Sequence, residues 1–227
     1  MQTASPDNEP RGVLRVRLPR RQEFPPDVDV AEQATDRSRK EARYADPMHP
    51  RTSELVQHLQ QTRAALRSAV DAMPAALQDR KPAPDRWSVA EVLEHLGQVE
   101  TQVTTLLDRG LRQLERQGLR PAQDHSPVLP TLDTARLLDR GTRLEAPPPT
   151  RPKNGLTAAQ AWQVLEQGRA ALQTTLLSGD GIDVDPIRAP HPFLGELTFH
   201  QWIAFVGLHE ARHTAQILAT AAALPRS

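Results

Sequence analysis

Cysteine is absent from the 227 residues. Disulfides, thiolate metal ligands, iron–sulfur clusters and a cysteine nucleophile are thereby excluded. Any metal must be held by His, Asp or Glu. Net charge is also absent, with 28 Lys+Arg against 28 Asp+Glu, so no global basic field exists to draw in nucleic acid. No apolar run approaches the ~20 residues that span a bilayer, and the mean hydropathy is −0.55. Aromatic residues make up only 4%. Strand signals are scarce, and no Gly-rich phosphate loop or internal repeat occurs. Proline, by contrast, is plentiful at 21 residues, and it must collect outside helices because it removes a backbone donor and clashes with the preceding turn.

Residues 1–50 read as a flexible N-terminal tail and residues 51–227 as the folded domain. The tail is polar, broken by proline and charge-balanced, with nine basic and nine acidic residues. Such a stretch buries too little apolar surface to offset its ordering entropy. It has no apolar h-region of the kind found in a secretory signal, which points to a cytoplasmic protein. From Ser53 the pattern becomes helical. Leu55, Leu59, Leu66, Val70 and Met73 follow a 3.6-residue period, and Pro74 closes the segment. Three later segments open on Ser or Thr with Glu or Gln three residues on: Ser88…Glu91, Thr157…Gln160 and Thr198…Gln201. Each is a capping box, in which two side chains satisfy backbone N–H groups that the first helical turn leaves unpaired. The expected helices are 53–73, 88–117, 157–178 and 198–223. About 40 residues separate the second from the third, and a long crossover lets two helices run parallel. The fold expected is all-α: a four-helix bundle, up-down-down-up, with a short extra helix within TLDTARLLDRG of the crossover.

Of eight histidines, three interrupt apolar stripes. His209 and His213 lie four residues apart on one face of the fourth helix. His95 sits between Val92 and Val99 on the buried face of the second. A lone core histidine is ordinarily hydrogen-bonded to a neighbour. Three in one small core have up to six ring nitrogens to satisfy, at on the order of 1–3 kcal/mol for each left unpaired. One divalent metal resolves this by taking a nitrogen from each ring. Antiparallel packing of the second and fourth helices brings the three to one level.

The blocks WSVAEVLEHL (87–96), HPFLGELT (191–198) and HEARHTAQI (209–217) together resemble the DinB-like superfamily over about residues 53–224. The resemblance implies a four-helix bundle with a metal site on His95, His209 and His213, commonly zinc or nickel. It also implies an activity among metal-dependent transferases that attach a low-molecular-weight thiol to an electrophile, or thiol-dependent isomerases. Many relatives have no known activity. The tail has no counterpart in that pattern.

Such a site can activate a thiol cofactor or water on behalf of a small-molecule substrate, as a thiol S-transferase or a hydrolase. The alternative is a non-catalytic bundle that binds a metal or small molecule. No catalytic residue is assigned. Gln216 shares the histidine stripe and is expected to hydrogen-bond a ligand or a ring N–H, and the resemblance puts His191 near the site mouth. Glu210 lies ~100° from His209 on the wheel and is expected on the surface, paired with Arg143 or Arg188. Glu91 is accounted for by its capping box. Trp87 and Trp202 are expected to be core anchors. Arg212 should point away from the site, into an ion pair, a homodimer contact or solvent.

Overall fold

The computed structural model describes residues 47–139, 141, 145–153 and 155–223. The tail expected over residues 1–50 therefore falls almost wholly outside the described residues, as does Arg143. Four long helices account for most of the described chain: α1 (Pro50–Asp71), α3 (Val89–Gln117), α5 (Ala158–Ser178) and α6 (Phe199–Ala223). Two short ones, α2 (Ala75–Gln78) and α4 (Thr134–Leu138), sit in the connections.

All three capping boxes form. Ser88 and Thr157 each accept from the backbone three residues on, and Glu91 and Gln160 reach back. At α6, Thr198 N–H donates to Gln201 Oε1 at 3.0 Å while Gln201 N–H donates to Thr198 Oγ1 at 3.3 Å. Helix α1 begins three residues earlier than its apolar period suggests. Pro50 occupies its first turn, where a missing N–H costs nothing.

Two apolar clusters fix the helix directions. One joins Leu66 and Val70 of α1, Val89 and Val92 of α3, Ala161 and Leu165 of α5 and Ile217 of α6. The other joins Leu55 and Leu59, Leu107 and Leu111, Leu172 and Leu176, and Ile203. The end of α1 thus lies beside the starts of α3 and α5 and the end of α6. That arrangement is up-down-down-up, with α3 and α5 parallel and α6 antiparallel to both. Helix α3 packs chiefly on α5, and α1 on α6. Full burial of each leucine contributes ~1.5–3 kcal/mol, and the two clusters together run the length of the bundle.

The segment feeding α6, where strand signals are scarce, is an antiparallel hairpin. Strand β1 (Arg188–His191) pairs with β2 (Gly195–Thr198), Arg188 opposite Thr198 and His191 opposite Gly195. Gly195 closes the three-residue turn at φ +78°, a conformation natural to glycine. Among the described residues no helix is long and apolar enough to cross a membrane.

Candidate metal centre

His95 comes from the second turn of α3, and His209 and His213 from successive turns of α6. The antiparallel pairing of α3 with α6 sets the three at one level. One nitrogen from each ring lies within 4.8 Å of the others. Nε2 of His209 is 3.3 Å from Nε2 of His95 and 3.2 Å from Nε2 of His213. His95 and His213 are 4% and 8% exposed, and His209 is partly exposed.

The far side of two rings fixes which nitrogen carries hydrogen. Nδ1 of His95 lies 2.7 Å from the Thr150 carbonyl oxygen. A carbonyl only accepts, so Nδ1 donates and Nε2 presents a lone pair. Nδ1 of His213 faces Oε1 of Gln216 at 2.9 Å, with the same consequence. Two lone pairs therefore converge on Nε2 of His209, which in the neutral ring offers one hydrogen at most. The three Nε2 atoms can share no more than that one hydrogen among themselves. A tetrahedral ion with ~2.0–2.1 Å bonds has ligand–ligand edges of ~3.3–3.4 Å, close to the separations found here. The donor set fits a divalent ion, and the Thr150 carbonyl and Gln216 side chain would be the outer partners that orient the imidazoles around it.

Burial favours the neutral, ligating form. Removal from water lowers the His95 pKa against the pull of the Thr150 carbonyl. His209 is driven well below its ordinary value, first by loss of solvation and then by the neighbouring His213 and His95.

The three rings form the floor of a cavity of about 1120 Å³. Its walls include Trp87, Phe205, Trp202, His191, Gln216 and Arg212. The Trp87 ring lies 4.9 Å from His95 and stacks at 6.3 Å on His213. Phe205 stacks on His209 at 5.3 Å. Both tryptophans are therefore cavity walls as well as anchors. His191 packs at the end of β1 against Phe205 and Trp202, at 4.4 and 5.2 Å. His95, His209, His213, Gln216 and His191 thus border one cavity, whereas His200 lies buried in the first turn of α6, away from it.

Two expectations need correction. Arg212 does not turn away: it borders the cavity and donates to the carbonyl oxygens of Leu137, at 3.2 Å, and Asp139, tying the crossover to α6. Glu210 is not a surface residue. It is 1% exposed and sits in a ring of charges to which each long helix contributes one member. Arg63 of α1 donates to Glu210 at 2.6 Å and to Glu100 of α3 at 3.1 Å. Arg169 of α5 donates to Glu100 at 2.5 Å and to Glu210 at 3.1 Å. Thr62 adds a hydrogen bond to Glu210 at 2.8 Å. Residue 210 faces the α1–α5 side because it stands ~100° from the cavity-facing His209. Arg188 meets Glu196 instead, at 3.9 Å.

Sequence reasoning also missed Thr150. It is held by a 3-10 turn (Pro148–Thr150) in which its N–H donates to the Pro147 carbonyl at 2.9 Å. A backbone carbonyl has no side-chain signature, so only the Pro-rich run 147–149 hinted at an ordered turn.

A family model described as the DinB superfamily matches residues 58–217. The uncharacterized protein YuaE of Bacillus subtilis (strain 168) is 29% identical over 145 residues, covering 61% of this chain and 80% of that protein. Among solved structures, TT2238, a four-helix bundle protein, superimposes with a TM-score of 0.50 at 21% identity. That match covers 74% of this chain and 98% of that one, and it speaks for the shared fold alone. With the bundle, the three-histidine cluster and a family match that takes in all three histidines, the chain belongs to the DinB superfamily.

Proposed function

We propose that the protein is a metal-dependent enzyme that holds zinc or nickel on His95, His209 and His213 and transfers a low-molecular-weight thiol to a small electrophile. The observation that carries this reading is the convergence of the three Nε2 atoms, those of His95 and His213 lying 3.3 and 3.2 Å from that of His209, on the floor of a large cavity. Three protein ligands leave positions open for an exogenous group, the pattern of catalytic sites. The ion, when bound, supplies Lewis acidity that holds a thiol in its thiolate form near neutral pH. Since the chain has no cysteine, the thiol must come from a diffusible cofactor, and the reducing cytoplasm is where such thiols abound.

The chain's residues do the rest. Thr150 and Gln216 orient the imidazoles, and Trp87 and Phe205 shield them from bulk water. A hydrolase would need a base beside the ion. Glu210 is engaged by Arg63, Arg169 and Thr62, and Glu91 by Ser88 N–H at 2.9 Å and Lys81 at 2.9 Å. Glu91 borders the cavity, but both carboxylates are held by these partners, which favours thiol transfer over hydrolysis. The test is a conjugation screen of metal-loaded protein with several low-molecular-weight thiols and model electrophiles. Metal-dependent adduct formation, lost in His213→Ala, is expected. Metal retention with no adduct from any pair would favour the non-catalytic, small-molecule-binding bundle.

A further inference from the structure

His191 is built into the cavity wall as a hydrogen-bond donor. Phe193 N–H donates to its Nδ1 at 3.2 Å across the hairpin turn. A backbone N–H can only donate, so Nδ1 holds the lone pair and the neutral ring carries its hydrogen on Nε2. Among the described residues Nε2 has no partner, and it is not one of the atoms sealed from solvent. Phe205 and Trp202 clamp the ring from two sides, and Phe205 in turn stacks on the metal-cluster residue His209. His191 is thus one aromatic layer removed from the three-histidine floor, on the same cavity. Burial independently holds its pKa down to about 4.

We propose that His191 is a ligand-orienting residue: the molecule that reaches the metal at one end presents a carboxylate or carbonyl oxygen to Nε2–H of His191, with its body against Phe205 and Trp202. Fixed in one tautomer, the ring offers a donor and no acceptor toward the cavity. The site therefore selects against purely aliphatic ligands and against groups that can only donate. This inference rests on the metal reading above and adds the class of ligand, an organic molecule with a metal-binding head and an acceptor oxygen beyond it.

The experiment uses the full chain loaded with cobalt(II), whose visible and thiolate charge-transfer absorption reports a thiol entering the coordination sphere. A series of ω-mercaptoalkanoates of increasing length is compared with alkanethiols of the same lengths. At the best-fitting length the acid should bind about tenfold more tightly than the thiol without an oxygen, the effect of one hydrogen bond to a charged acceptor. His191→Phe keeps the stacked ring and removes the donor, and should abolish that preference while leaving cobalt affinity unchanged. His191→Gln retains a donor and should keep most of it. Equal binding of acid and alkanethiol at every length, or an undiminished preference in His191→Phe, overturns this inference while leaving the metal reading intact. A chain that takes up no cobalt overturns both.

Discussion

Two polar clusters lie inside this bundle, and they solve opposite problems. The ring of Arg63, Glu100, Arg169 and Glu210 matches two cations with two carboxylates, one from each long helix, and every charge has two opposite partners within the ring, with Glu166 a third for Arg63. The cluster of His95, His209 and His213 matches like with like. Its outer hydrogen bonds fix two lone pairs that converge on a third ring. Although His209 and Glu210 are adjacent in sequence, one belongs to each cluster. The first is complete without a ligand. The second has the donor set to hold one.

The largest expected effects come from breaking the complete cluster. Burial pushes the Glu100 carboxyl pKa up, against the pull of Arg169 and Arg63. Removing one member leaves an uncompensated buried charge, so Glu100→Ala or Glu210→Ala should cost ~3–5 kcal/mol. Denaturant titration measures this. Changing all four residues to apolar ones of similar volume should cost much less than either single change, because pairing and desolvation then vanish together.

The histidine cluster should respond to metal. Saturation at 100-fold over Kd stabilises the folded chain by about 2.7 kcal/mol. Chelation near neutral pH should lower the melting temperature yet preserve the helical circular dichroism, because the two apolar clusters join all four long helices along the bundle. Loss of helix on chelation would show the metal to be structural.

Acid should separate the clusters next. His95 and His209 have folded-state pKa values below 6.5, and burial lowers that of His200, near neither cluster, to about 4. The unfolded chain therefore binds more protons than the folded one as pH falls below ~6.5, and stability drops with pH through that window. Metal should deepen this slope, since imidazole must be neutral to ligate. In metal-free protein, replacing His200 by Gln should flatten the part of the slope between pH ~6.5 and ~4. Melting curves at stepped pH, with and without metal, measure both.

These clusters were unequally legible in the sequence. The helix caps could be read because each is completed within four residues, and the metal cluster because three histidines break apolar stripes whose period is local. The charge ring was hidden. Arg63, Glu100, Arg169 and Glu210 each look like solvated helix residues, and their pairings join residues from 37 to 147 positions apart. The hairpin was hidden for a related reason: RAPH and GELT carry little strand propensity, and their pairing rather than their composition makes them strands. Thr150 contributes only a carbonyl, invisible to any side-chain pattern.

The smallest expected effect lies at the edge of the histidine cluster. Gln216→Ala removes the partner of His213 Nδ1 and should weaken metal binding about tenfold, with little change in metal-free stability. Competition against a chelator of known affinity measures it.

The most direct test of the contrast between the clusters is elemental analysis of full-length protein purified without an affinity tag, beside the variant in which His95, His209 and His213 are all alanine. Close to one zinc or nickel ion per chain is expected in the parent and none in the variant, with both proteins helical. Equal metal content in the two would contradict this and put the site elsewhere.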